Sequence, residues 1–201
     1  MNGWDLLIAL GVGVGLAAAT GFRVFVPLLV MAIAVRTGQV NIASNLEWLT
    51  GDAALIALSI ATALEIGGYY VPWIDNLLDT VATPAAAVAG TLVASSMLVD
   101  MDPMLQWALG AIAGGGTALG VQGLTVGVRA LSTASTGGVG NPVVATAETG
   151  TATGLAVLAL TLPLVAVTLV IVGVIVLARF VYRHRPWRRV GGRPATGAPT
   201  P

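Results

Sequence analysis

From Leu6 to Val35 the chain carries one charge, Arg23, in about thirty residues, roughly 45 Å as one straight helix against about 30 Å of bilayer hydrocarbon. No single straight span fits that length, so the run has to break. Thr20-Gly21, just ahead of Arg23, is where it breaks most readily, giving a span and a half or a re-entrant hairpin. Backbone that leaves the helix at membrane depth must be buried in protein or line a wet cavity, because lipid satisfies neither N–H nor C=O groups. The same choice arises at Ser132 to Gly150, a polar, Gly-rich stretch flanked by apolar runs, which is either a water-side loop or a site.

The whole chain supports a membrane setting: 56% of residues are hydrophobic, 9% are charged, and the mean hydropathy of +0.91 lies far outside the soluble range. The expected fold is an all-α, polytopic transmembrane helix bundle of five or six spans. Broken or re-entrant segments are expected near residues 19–27 and 132–148. Residues 1–182 form one transmembrane domain, and 183–201 a basic, then disordered tail. With no cysteine, and His184 as the sole histidine, the usual zinc and haem ligands are missing, and neither metal nor other cofactor is expected. Arg183, Arg185, Arg188, Arg189 and Arg193 follow the last apolar run, which places the C-terminus in the cytoplasm. The N-terminus lacks the positive region of a cleaved signal, so the first run reads as a retained span.

Along the chain, Arg36 to Asp52 is a polar connection with Trp48 as an interfacial anchor. Ala53 to Trp73 is the next span and carries Glu65 slightly past its middle, where an acidic residue costs about 2.5 to 3.5 kcal/mol and so faces the bundle interior. Pro72 to Asp79 sets Asp75 and Asp79 on one helix face, either as a solvated interfacial turn or as part of a site. Pro84 to Val99 reads as a short span, Asp100 to Pro103 as an acidic turn, and Met104 to Val128 as a span softened by Gly114-Gly115-Gly116. Pro142 to Tyr182 is long enough for two passes if it turns near Thr161-Leu162-Pro163. Gly11, Gly13 and Gly15 follow no strand, so they read as helix packing and not as a nucleotide fingerprint.

The two breaks echo each other. Thr20-Gly21 leads to Pro27 as Thr136-Gly137 leads to Pro142, and the surroundings of Glu65 resemble those of Glu148. This is the pattern of internally repeated transporters, although break and glutamate are far apart in the first half and adjacent in the second. Peptide N–H groups after Gly21 or Gly137-Gly138 would hold an anionic group, and Arg23 would add a charged donor fork. Glu65 and Glu148 would neutralise Arg23 or accept protons in a coupled cycle. The plainer reading is a structural ion pair between Arg23 and Glu65, with an ordinary tight turn at Gly-Asn-Pro.

Three stretches also carry a resemblance: Gly21 to Pro27 (Gly-Phe-Arg-Val-Phe-Val-Pro), Glu65 with Pro72 to Asp79, and Arg129 to Val143. Together they resemble the bacterial membrane family catalogued as domain of unknown function 4126, over about Gly15 to Val176. The resemblance implies an integral inner-membrane protein and supplies no activity. It also implies an acidic pair at Glu148, where this chain has Thr149, and a His and a Lys shortly before Arg129, where Val121 to Val128 has neither.

The first functional reading is a small transporter or lipid-translocating protein. Its polar interior would be lined by Arg23, Glu65, Asp75, Asp79, Arg129, Gly137, Gly138, Asn141 and Glu148. The alternative is a non-catalytic membrane subunit or scaffold packing through Gly-rich faces. Expected partners are the lipid bilayer, a small anionic solute or lipid headgroup, and a membrane protein or second copy. Nucleic acid is not expected, and with no Ser-His-Asp set, phosphate loop or metal cluster the chain does not read as an enzyme. A transporter needs the buried charges to converge; a scaffold can pair them locally.

Overall fold

The computed structural model describes residues 2–71 and 74–183. These form α1 (Gly3–Phe22), α2 (Phe25–Arg36), α3 (Asp52–Gly68), α4 (Ile74–Ser96), α5 (Pro103–Leu109), α6 (Gly116–Thr136), α7 (Asn141–Thr161) and α8 (Pro163–Arg183), with no strand among the described residues. A 3-10 turn, Ser44–Thr50, leads into α3 at a bend of 60°. The fold is the all-α bundle expected. Four of its helices are long and apolar enough to cross a membrane, and the bent pair before and including α3 brings the number to five. The basic cluster from His184 onward, on which the cytoplasmic C-terminus rests, and Pro72-Trp73 lie outside the described residues.

Helix α1 starts on a capping box: the Asn2 side chain accepts from Trp4 N and Asp5 N, and Asp5 accepts from Asn2 N at 3.2 Å. It then runs through the middle of the bundle, packed on α4, α6, α7 and α8. Its glycines let other backbones come close. A Cβ at Gly13 would sit 3.0 Å from Ala94 Cα, and one at Gly15 2.7 Å from Ala159 Cβ. The helix does not end at Thr20-Gly21. Gly21 stays helical because it is a contact point, where a Cβ would lie 2.5 Å from Val121 Cβ and 2.6 Å from Ala118 O. The break falls at Arg23, whose backbone is extended (φ −145°, ψ 121°), before α2 begins again through Val24.

Helix α2 runs antiparallel to α3. Val24 and Phe25 meet Glu65 at one end, and the exposed Arg36–Asp52 ion pair joins them at the other. Ser96 Oγ donates to Met31 Sδ at 3.2 Å while Gly13 packs on Ala94, so α2 returns past the same turn of α4 that α1 passes. The first break is therefore a re-entrant hairpin with Arg23 at its tip. The second is a four-residue turn between two 21-residue helices, with Gly137 and Gly138 at φ 63° and 91°. The two breaks are thus built differently, one burying its tip and the other joining helix ends.

Two boundaries differ from the sequence reading. Helix α4 begins at Ile74 and passes straight through Pro84. Pro84 removes the donor that would reach Thr80 O, and α4 carries on through it, as membrane helices do more readily than soluble ones. Asp75 and Asp79 are therefore part of a spanning helix, not of an interfacial turn. Helices α5 and α6 join through a π-helical turn, Gly110–Gly115, into one 34-residue rod, Pro103–Thr136, which carries Arg129 well inside a helix. The π turn lies where Gly90 and Gly114 let α4 and the rod touch backbone to backbone; a Cβ at Gly90 would sit 2.5 Å from Ala118 Cβ. The turn expected near Thr161-Leu162-Pro163 is present, with Leu162 as the single residue between α7 and α8.

Candidate functional site

Arg23, on the hairpin tip, is fully buried. Its Nη2 donates to Ala145 O at 2.8 Å, its Nε donates to Thr149 Oγ1 at 3.0 Å, and Glu148 Oε2 lies 3.5 Å from Nη2. The tip is thus held by one turn of α7, whose residues 145 and 149 lie on the same face one turn apart. The other arginine, Arg129 of α6, bridges two carboxylates: Nη1 donates to Asp79 of α4 and Nη2 to Glu148 Oε2. Glu148 therefore takes both guanidiniums on one oxygen.

Tyr69, which follows α3, organises the pair. The Arg23 guanidinium carbon lies 4.0 Å from the centre of its ring and that of Arg129 3.8 Å, while its hydroxyl donates to Asp79 Oδ1 at 3.2 Å. Sequence reasoning passed over Tyr69 because an aromatic at a span's end reads first as an interfacial anchor. The available signal was its spacing: four residues after Glu65, it shares that glutamate's helix face.

Glu65 does not pair with Arg23. Its two oxygens accept from Val24 N at 2.6 Å and Phe25 N at 3.0 Å. It supplies from another helix the cap that α2 lacks, since Val24 provides no side-chain cap of its own. The anion expected at the first helix N-terminus is thus the protein's own carboxylate, and the ion pair expected between Arg23 and Glu65 is replaced by one between Arg23 and Glu148.

Asp75 and Asn141 form a second tier. Asn141 Nδ2 donates to Asp75 Oδ2 at 2.6 Å and to Thr133 Oγ1 at 3.0 Å, tying the start of α4 to the end of α6 and the start of α7. Gly137 and Gly138 do not join the site. They form the turn itself, where an added Cβ would meet nothing within 4 Å, and their left-handed backbone is what glycine supplies there. The N–H groups after this turn bond back to Gly138 and Gly140 carbonyls, and no anion cradle is built from them.

Residues 10–183 match the family described as Domain of unknown function (DUF4126). The chain belongs to that family. Comparison with curated proteins and with solved structures gives no match. In this DUF4126 protein two guanidiniums share the interior with four carboxylates, Glu65, Asp75, Asp79 and Glu148, an excess of two negative charges when all are ionised. Several buried polar atoms there have no partner among the described residues: Arg23 Nη1, Arg129 Nε, Glu148 Oε1, Asn141 Oδ1 and, seven residues before Arg129 on α6, Gln122 Nε2. Among the described residues no group of three or more His, Cys, Asp or Glu is arranged to hold a metal ion. The arrangement offers buried carboxylates and guanidiniums as proton and hydrogen-bond partners.

Proposed function

We propose that this DUF4126 membrane protein is a small transporter or lipid-translocating protein, working through the polar interior around Arg23, Tyr69, Asp79, Arg129 and Glu148. One observation carries the reading: charges from α3, α4, α6, α7 and the hairpin tip converge in one buried place and leave donors and acceptors unmet. A network that served only to hold helices together would be expected to close its own hydrogen bonds, because each unpaired buried group costs about 1–3 kcal/mol. Unmet atoms of both kinds suit a passing guest. The two excess carboxylates suit coupling to protons, as movement of a charged interior within lipid calls for near neutrality. On this reading the protein is not an enzyme, and it resides in the inner membrane with its basic tail in the cytoplasm.

The scaffold reading retains one favourable feature. Gly116, Gly120, Gly123 and Gly127 form an exposed ladder on α6 against which none of the described residues packs. It would suit a helix of a second copy or of another membrane protein.

The absence of native cysteine makes the test direct. Single cysteines replace Glu65, Gly138, Glu148 and Thr149 in turn in membrane vesicles, and a small impermeant thiol reagent is added from each side. Reaction at 148 and 149, alongside free reaction at 138, is the expected result. Silence at 65, 148 and 149 from both sides would leave a dry structural network and end the transport reading.

A further inference from the structure

Beside the charge cluster lies an open groove of about 760 Å³ between α1, α6, α7 and α8. Its walls are almost wholly apolar, with Phe22, Leu124, Leu155 and Leu169 among them, and its polar side chains are Thr125, Thr151 and Glu148. Gly154 of α7 and Gly173 of α8 leave it hollow, for a Cβ at either would meet nothing within 4 Å. From Val143 to Leu158 the α7 wall is about 22 Å long at 1.5 Å per residue, most of the depth of the bilayer hydrocarbon.

We infer that this groove seats the hydrocarbon chain of a lipid whose polar end carries a hydrogen-bond donor, a hydroxyl or an ammonium, received by Glu148. The apolar walls fix the chain, and Glu148 fixes the head. That residue is 5% exposed, lines the groove, and has one oxygen committed to both arginines while the other accepts from nothing. The terminal carboxylate torsion of a glutamate is soft and moves both oxygens together, so a small rotation brings the free oxygen toward a donor in the groove while Oε2 stays within reach of the arginines. An anionic head is disfavoured, because it would meet an interior that already holds more carboxylates than guanidiniums. The inference deepens the transport reading by naming the class of molecule, but binding at the groove stands or falls separately from movement.

The experiment uses the full chain in detergent and three photoactivatable probes of one long alkyl chain: the primary alcohol, the primary amine and the methyl ether. Adducts are mapped by peptide mass spectrometry. The alcohol and amine should label α6, α7 and α8 along the groove and outcompete the ether. Gly154→Leu and Gly173→Leu fill the groove away from the cluster and should each cut labelling by roughly tenfold or more, the scale of an overpacked site. Glu148→Gln should remove the preference for donor heads. Labelling indifferent to both leucine substitutions, equal labelling by all three probes, or protein–protein adducts in place of lipid adducts would overturn the inference. Should the alcohol label as expected while the thiol reagent finds 148 and 149 closed, the groove is a lipid site and the transport reading alone fails. If those positions are open but the leucine variants label normally, transport stands and the groove assignment falls.

Discussion

Arg129→Met is the most informative single perturbation, since it removes the charge while roughly keeping the volume. It strips the ion-pair donor from both Asp79 and Glu148, whose side chains are 12% and 6% exposed. Removing one partner from a buried pair typically costs about 3–5 kcal/mol. Two carboxylates are orphaned here, but neither is left bare: Asp79 keeps the Tyr69 hydroxyl at 3.2 Å and Glu148 keeps Arg23 at 3.5 Å. The expected loss therefore lies near the low end, about 3 kcal/mol, or roughly a hundredfold in the folding equilibrium. Reversible unfolding by titration with a denaturing detergent in mixed micelles reads that shift, and a double-mutant cycle with Asp79→Asn isolates the pair. The cycle should return a coupling of about 1–3 kcal/mol, with Arg129→Met/Asp79→Asn recovering part of the loss because Asp79 is no longer charged without its arginine while Glu148 keeps Arg23. A loss below about 1 kcal/mol for Arg129→Met, or a coupling indistinguishable from zero, would show that the cluster is hydrated enough to screen its charges. The argument from buried, weakly screened ion pairs would then be refuted.

Three further outcomes follow from the same geometry. Gly21→Ala should destabilise by about 1–3 kcal/mol in that titration, because its Cβ meets the Ala118 carbonyl, whereas Gly120→Ala, with nothing within 4 Å, should stay within about 0.5 kcal/mol. Tyr69→Phe keeps the ring under both guanidiniums and loses one hydrogen bond, so it should cost about 1 kcal/mol, while Tyr69→Leu should cost clearly more; equal effects would remove the stacking from the account. Glu65→Ala uncaps α2 and should lower stability by about 1–2 kcal/mol, with Glu65→Gln retaining part of the cap; full wild-type transport by Glu65→Gln would take Glu65 out of any proton relay.

Much of this architecture could be read from residues, because membrane length is a severe constraint. A thirty-residue apolar run had to break, and it breaks at Arg23; Pro163 had to start a new helix, and it does. The i, i+4 spacing put Asp75 and Asp79 on one face of α4, and both meet buried partners. Local signals failed where distant partners decide. Pro84 reads as a helix start, yet α4 continues through it, its first turns held by the bonds of Asp75 to Asn141 and of Asp79 to Arg129 and Tyr69. Glu65 reads as the natural counter-charge for Arg23, yet two free N–H groups beside that arginine claim it, and Glu148 takes the arginine across a separation no sequence window spans. Gly137 and Gly138 read as an anion cradle and proved to be a turn, because glycine's freedom serves both uses equally well.

The hairpin tip has a consequence for how the chain is made. The ribosome delivers α1, Arg23 and α2 first, but the groups that satisfy the tip come from residue 65 and from residues 145 to 149. Until α3 arrives, α2 has no cap, and until α7 has been threaded into the membrane, Arg23 lacks the ion-pair partner and hydrogen-bond acceptors that hold it. The opening segment must therefore wait, near the headgroups or in the shelter of the insertion machinery, and enter the interior only after most of the protein has been synthesised. A chain cut short before residue 145 has none of the α7 groups that satisfy Arg23, so its tip would carry a bare arginine within an apolar segment.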